Sequence, residues 1–155
     1  MKSPVVAWFF GVLVATVLCL PAQAASSLVT IEAVTVEPPS PASGAHCSLS
    51  VRLKNTGTQS ATYFRFEVKI DGEEQAAYER YMYAAIVAPG ATATIDLFSF
   101  YSPAAHATFP VAVTLSEAQW AEVKWVGQTN MTTPVGPVPG LPVSSKQTIG
   151  LAPSK

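Results

Sequence analysis

Charged side chains are scarce in this chain, making up 12% of its 155 residues, and only two residues are histidine. Residues 1–24 hold a single lysine, so the remainder carries eight Lys and Arg against ten Asp and Glu. A balanced charge without a basic run provides no electrostatic footprint for the phosphates of a nucleic acid. We therefore expect no nucleic-acid partner.

Cysteine is equally scarce, with only Cys19 and Cys47 present. Cys19 lies in the apolar N-terminal run, and the residues before it, Thr16-Val17-Leu18, lack the small residue expected ahead of a lipidated cysteine. Once that run is removed, Cys47 has no cysteine to pair with, so no internal disulfide is expected. A lone cysteine in an oxidising compartment is either buried or reactive, and its position in a strand pattern (below) favours burial.

The side chains needed for catalysis do not occur in a productive pattern. His46 and Cys47 are neighbours in a strand pattern, so their side chains point to opposite faces and do not form a nucleophile–base pair. We therefore expect no enzyme activity and no cofactor.

Metal binding has little support in the sequence. Cys47 is far along the chain from His106, and Met82 and Met131 match no copper-ligand spacing. Asp71, Glu73 and Glu74 crowd one turn and would at most hold Ca²⁺ weakly, while a solvated acidic turn is the simpler interpretation. We therefore expect no metal site.

The N-terminus has the pattern of a secretory signal peptide. Lys2 precedes an apolar run from Val5 to Leu20, and Ala22-Gln23-Ala24 supplies small residues for cleavage before Ala25. At about 16 residues the run is short for a bilayer span of roughly 20. We predict removal of residues 1–24 and a secreted or periplasmic protein without stable membrane insertion; a retained N-terminal anchor is the alternative.

Alternation of apolar and polar residues is the main structural signal. Residues 46–54 place Cys47, Leu49, Val51 and Leu53 on one face and polar residues on the other, which is typical of a half-buried antiparallel strand. About seven such segments with turn signals between them predict an all-β, two-sheet antiparallel β-sandwich within residues 25–131. The predicted strands are residues 28–36, 46–54, 61–70, 77–87, 91–100, 108–115 and 119–126.

Three segments are less regular. Residues 119–126 fit either a strand or a short helix, because Trp120 and Trp125 lie on opposite faces of a strand. Pro110 predicts an edge strand, which is open to pairing with a partner strand. Residues 132–155 are rich in proline and glycine, and we predict that they form a flexible tail.

The stretch from Gly44 to Leu97 resembles a bacterial immunoglobulin-like module. An alternating strand ends in Asn55-Thr56-Gly57, an aromatic strand ends in Asp71-Gly72, and Pro89-Gly90 precedes a Thr-rich strand. This order is similar to the cell-adhesion-related (CARDB-like) domains and, less closely, to FxLYD-type domains, although the FxLYD tetrapeptide is absent. The resemblance implies an immunoglobulin-like sandwich with a role in adhesion or envelope assembly, and it brings no catalytic residues.

These observations predict a non-catalytic module that contacts another envelope or extracellular protein. The alternative is a carbohydrate-binding module, since exposed aromatic rings stack on sugars as well as on proteins. A polysaccharide partner would use the tyrosines; the alternative interpretation is that they are ordinary half-buried strand residues. The candidate binding residues are Tyr63, Tyr78, Tyr81, Tyr83 and Tyr101.

Overall fold

Two antiparallel sheets form the fold, and the computed structural model describes residues 26–75, 85–104 and 106–153. The first sheet has the order β1-β2-β5, and the second has the order β4-β3-β6-β7 with β8 also paired to β6. The strands are β1 (Val29–Glu37), β2 (His46–Asn55), β3 (Ser60–Ile70), β4 (Glu73–Glu74), β5 (Thr92–Tyr101), β6 (Thr108–Val126), β7 (Thr129–Pro137) and β8 (Val143–Gly150). The prediction of an all-β sandwich is confirmed.

The core lies between the sheets and follows the predicted alternation. In β2, each predicted inward residue is buried, and the same holds for the inward faces of β3, β5 and β6. Period-2 burial arises because successive strand side chains point to opposite faces, only one of which meets the other sheet. The core residues predicted in this way are Cys47, Leu49, Val51, Leu53, Phe64, Phe66, Val68, Ile70, Ile95, Leu97, Phe109, Val111, Val113 and Leu115.

β6 is a single strand of 19 residues that joins two of the predicted strands. Residues 119–126, left open between strand and helix, form the second half of this strand. On one side it pairs with β3, from Val111 to Ala121. On the other side it pairs with β8 over its first half and with β7 over its second half. This continuous ladder makes β6 the centre of the second sheet.

The expected edge strand at Pro110 is wrong, because β8 and β3 flank this part of β6. Pro110 lies opposite Thr148 of β8, and its carbonyl accepts a hydrogen bond from the Asp71 N–H at 2.8 Å. Since β3 ends at Ile70, the missing N–H of the proline falls just past the last residue pair of the ladder. The ladder therefore tolerates the proline without being an edge.

The prediction that residues 132–155 form a flexible tail is also wrong, because residues 129–137 and 143–150 are strands of the second sheet. Pro134 and Pro137 both lie in β7, which is the outermost strand along this half of β6. Proline is accepted in an outer strand because an N–H that faces away from the sheet has no ladder bond to lose. Val138 and Ile149 anchor the segment, since both are buried in the core.

The predicted strand at residues 77–87 lies largely outside the described residues. Its last residue, Val87, is buried and pairs with Ala61 at the edge of β3. The side chain of Asn55, also fully buried, joins this segment to the β2–β3 turn. Its amide nitrogen donates to the carbonyls of Gln59 (2.7 Å) and Val87 (2.9 Å), and its oxygen accepts from the Gly57 N–H at 2.9 Å.

Replacing this buried amide tests how much the junction stabilises the fold. Asn55→Ala removes three hydrogen bonds and leaves the buried Gly57 N–H without its partner, although the Val87 carbonyl keeps its bond from the Ala61 N–H. We therefore expect the free energy of unfolding to fall by about 3 kcal/mol. Denaturation in urea, followed by circular dichroism, measures the change. Thr56→Ala is the control, because it removes one exposed bond to the Leu28 carbonyl and should cost under about 1 kcal/mol. Equal effects of the two changes would contradict the prediction.

Packing of the C-terminal strand is tested by a neighbouring pair of substitutions. Ile149→Ala removes a buried side chain from β8 and should lower the free energy of unfolding by about 2–4 kcal/mol. Thr148→Ala changes an exposed residue of the same strand and should stay within about 0.5 kcal/mol of the wild type. If Ile149→Ala also left stability unchanged, residues 143–150 would behave as a tail.

Candidate functional site

Of the five candidate tyrosines, Tyr63 and Tyr101 are described, whereas Tyr78, Tyr81 and Tyr83 lie outside the described residues. Tyr63 lies on β3 where the pairing with β6 shifts register, and it is half-buried with a φ of 53°. Tyr101 ends β5 in the other sheet and is 73% exposed. Its ring meets that of His46 edge to face, with centroids 5.6 Å apart.

Tyr63 and Tyr101 do not form one platform. Tyr101 pairs with His46 at the start of β2, whereas Tyr63 follows the turn at the end of β2, near Asn55. The ten residues of β2 span about 30 Å at roughly 3.3 Å per residue, so the two tyrosines lie toward opposite ends of the sandwich. Each ring is therefore available, at most, to a separate ligand.

Cys47 has the surroundings of a core residue. Its side chain is buried, and its Sγ donates to the Ala45 carbonyl at 3.5 Å. Burial raises the pKa of the Cys47 thiol, and a backbone hydrogen bond with Ser102 offsets this only in part. A protonated, inaccessible thiol is a poor nucleophile and a poor metal ligand. The adjacent His46 is exposed, as the alternation predicts.

The acidic turn after β3 is already engaged by basic side chains. The Glu74 carboxylate lies 2.9 Å from Lys69 Nζ, and this hydrogen bond raises the pKa of Lys69. Asp71 lies 3.9 Å from His106 Nε2. Within the described part of the chain, no group of three or more His, Cys, Asp or Glu side chains is placed to hold a metal ion.

A two-stranded projection, which we call the arm, is the most exposed apolar feature of the described residues. It comprises Glu122–Val126 of β6 and Thr129–Pro134 of β7, joined by the two-residue turn Gly127–Gln128. β3 begins at Ser60, opposite Ala121, so the arm continues beyond the start of β3 and its two strands pair with each other.

Both faces of the arm carry exposed apolar side chains. Trp125 is opposite Asn130 on one face and is 70% exposed. Met131 is opposite Lys124 on the other face and is 58% exposed, with Val126 beside it at 60%. Directly opposite residues of an antiparallel pair share a face, so the tryptophan and the methionine point in opposite directions. The arm therefore presents apolar surface on two sides.

The arm is joined to the sandwich by the packing of Trp120 on Gly57, which we call the foot of the arm. The ring of Trp120 covers Gly57, where an added Cβ would lie 2.6 Å from Trp120 Cη2. Gly57 is held by the side chain of Asn55, so the ring rests on the hydrogen-bonded turn that joins β2 to β3. A cleft of about 440 Å³ opens beside this foot. Its lining residues are Thr58, Gln59, Ser60, Pro89, Ala121, Glu122 and Val135.

The sequence contained one signal for the arm that the strand analysis did not use. Gly127 lies between two segments of polar and apolar residues, and a glycine-containing two-residue turn between strand-like segments is typical of a hairpin. Gly127 has a φ of 66°, the left-handed conformation that such a turn requires.

Comparison with known proteins agrees with this architecture. A family model described as CARDB matches residues 27–118, which include β1 to β5 and the first half of β6. The arm lies beyond the matched residues. No curated protein matches the chain. Among the described residues there is no helix long and apolar enough to cross a membrane.

The burial of Cys47 predicts a protected thiol. In the folded protein, Ellman's reagent at pH 8 should label Cys47 at less than about one hundredth of the rate for an unfolded chain, because burial disfavours the reactive thiolate. Labelling in 6 M guanidinium provides the unfolded rate. Fast labelling of the native protein would show instead that this cysteine is accessible and open to redox chemistry.

Proposed function

Because the chain belongs to the CARDB family, we propose that it is a secreted or periplasmic module that contacts another envelope or extracellular protein. The family consists of non-enzymatic immunoglobulin-like domains of the cell-adhesion-related kind. A binding role is consistent with the buried thiol and with the ion pair in the acidic turn. It is a role in adhesion or assembly rather than in chemistry.

The exposed arm is the observation that carries this proposal. Trp125 is 70% exposed at the end of a strand that runs on past the sandwich. Tryptophan is the residue type most enriched among those that dominate binding energy at protein interfaces. Burying such a ring is favourable by about 2–3 kcal/mol. The exposed ring does not contribute this free energy to the fold, but a partner surface that covers the ring gains it.

Localisation rests on the N-terminal sequence. Cleavage before Ala25 would release the sandwich on the far side of the membrane, since the described strands begin at Val29. This order leaves the whole folded domain, including the arm, in the same compartment as its partner.

Carbohydrate binding is the second candidate, and the exposure of Tyr101 favours it. Its ring is 73% exposed and is buttressed edge to face by His46, so it offers a flat apolar face. Sugar rings stack on such faces. This site lies at the far end of the sandwich from Tyr63, so a glycan would rest on Tyr101 without Tyr63.

Photo-crosslinking separates the two candidates. We replace either Trp125 or Tyr101 with benzoylphenylalanine in the full chain and irradiate the native envelope and culture fluid. If the chain contacts another protein through the arm, position 125 should give a defined protein adduct and position 101 should give none. Trp125→Ala should weaken capture of that protein by about 30-fold, which corresponds to a loss of about 2 kcal/mol.

Stability and glycan retention provide the controls. Trp125 is exposed, so Trp125→Ala should leave unfolding within about 0.5 kcal/mol of the wild type. Tyr101→Ala should leave the adduct unchanged. Retention on insoluble envelope polysaccharide that disappears in Tyr101→Ala, with no adduct at position 125, would instead establish the carbohydrate-binding function.

A further inference from the structure

The last part of β6 has a strand on one side only, as far as the described residues go. On the side of β3, its last paired residue is Ala121, opposite Ser60. β6 then continues through Glu122–Val126, and among the described residues only those of β7 pair with this stretch. An open strand edge presents unpaired N–H and C=O groups, and an extended chain is what matches them.

The turn of the arm determines which backbone groups face this edge. Val126 and Thr129 flank the two-residue turn, and in such hairpins the flanking pair exchanges both backbone hydrogen bonds. The orientation of backbone groups alternates along a strand, so Lys124 also faces β7. Val123 and Trp125 therefore direct their N–H and C=O groups toward the open edge.

The side chains along the edge form an apolar row and a charged row. Val123 and Trp125 lie on one face of β6, and the Trp125 ring is 70% exposed. Glu122 and Lys124 lie on the other face, with the Glu122 carboxylate 3.2 Å from Lys124 Nζ. The Lys124 and Glu122 side chains are 74% and 62% exposed, so a neighbouring strand can still contact both. The edge therefore selects the side chains of an added strand as well as its backbone.

We infer that the partner protein adds an extended segment of about five residues to this edge, antiparallel to β6, with alternating apolar and charged side chains. The inference rests on the proposed function, since it describes how the partner binds the arm. Two apolar residues of the segment lie opposite Val123 and Trp125, and each exchanges both backbone hydrogen bonds with its opposite residue. An acidic residue lies opposite Lys124 and a basic residue lies opposite Glu122, because opposite charges form favourable cross-strand pairs.

The foot of the arm has room for this segment. The segment runs in the direction of β3 and ends opposite Glu122, so it stops before the place where Ser60 pairs with Ala121. The cleft of about 440 Å³ begins here, lined by Glu122 and by the loop of Thr58, Gln59 and Ser60. The last side chain of the segment therefore lies at the opening of a cleft rather than against a filled surface.

The charges of the edge favour a different protein over a second copy of this chain. A second copy that paired with both open residues would set Lys124 opposite its own equivalent, and like charges directly opposite each other are destabilising. It would also bring the turn of its arm against Ser60, which already pairs with β6. Lysine on an open edge discourages unselective pairing, so the occupant needs the matching acid.

A synthetic peptide with this pattern is the direct test. The hexapeptide STVEVK, acetylated and amidated, places its valines opposite Trp125 and Val123. Its glutamate then lies opposite Lys124 and its lysine opposite Glu122. At millimolar peptide, nuclear magnetic resonance of the ¹⁵N-labelled protein should show that the N–H groups of Val123 and Trp125 exchange with solvent about fivefold more slowly. The Lys124 N–H, which faces β7, should change little.

Two control peptides separate the backbone bonds from the side-chain pairs. Methylation of both valine nitrogens keeps every side chain but removes the donors to the carbonyls of Val123 and Trp125. The affinity of this peptide should fall by about tenfold or more, because main-chain hydrogen bonds provide the affinity of an added strand. The peptide STVKVE sets like charges opposite Lys124 and Glu122 and should bind about threefold more weakly than STVEVK.

Two variants test the same bonds from the side of the protein. Val123→Pro removes one N–H at the open edge, whereas Val123→Ala keeps it, and the backbone groups of Val123 face away from β7. Val123→Pro should therefore bind STVEVK about tenfold more weakly than Val123→Ala. Near-UV circular dichroism verifies that each variant is folded.

The outcomes separate this inference from the proposed function. No change at Val123 and Trp125 with STVEVK, or equal binding of its methylated form, overturns the strand addition. If position 125 still gives an adduct with another protein, the binding function stands and that protein covers the ring without pairing with the edge. An adduct of twice the chain mass identifies a second copy and also overturns the inference. If neither peptide binding nor an adduct is found, both proposals fail. Binding of STVEVK that is lost on methylation, together with an adduct to another protein, supports both.

Discussion

The backbone ladder of β6 is the constraint on which the second sheet depends. β3 occupies one edge of β6, and β8 and β7 share the other, so most of its 19 residues have a strand beside them. Every one of these strands begins or ends where its pairing with β6 does. The ladder also fixes where pairing stops. Because β3 starts at Ser60 and β6 runs on to Val126, no described residue pairs with the last five residues of β6 on the β3 side.

The sequence predicted the central strands well because their burial is one-sided. Strict alternation in β2 and β3 reports directly which side chains meet the other sheet, and Cys47 could be placed in the core from its register alone. The same reasoning failed for residues 132–155. β7 and β8 take much of their order from backbone bonds to β6, with few buried side chains such as Ile149, and backbone pairing leaves little trace in composition. Proline therefore suggested a tail where it occupies an outer strand.

The candidate site was harder to predict, because exposure of an aromatic residue depends on strands that are distant in sequence. Trp120 and Trp125 lie five residues apart on β6. The first is half-buried against Gly57 in the β2–β3 turn, and the second extends past it into solvent. Nothing in the local pattern around Trp125 indicates that β3 begins opposite Ala121 and pairs with no later residue of β6. The abundance of tyrosine predicted a tyrosine-lined binding site instead, yet Tyr63 and Tyr101 belong to different sheets.

The foot of the arm links the stability of the sandwich to what the arm can do. A two-stranded ribbon on its own is marginally stable in water. Here the arm continues β6, and Trp120, just before the arm, packs on Gly57. Gly57 is held in turn by the hydrogen bond from its N–H to the side chain of Asn55. The sandwich therefore fixes the direction of the arm, while in the described part of the chain only β7 pairs with the last five residues of β6. The unpaired edge of Glu122–Val126 and the exposure of Trp125 both arise because β6 runs on past the start of β3. A single partner strand would pair with the edge and cover the ring.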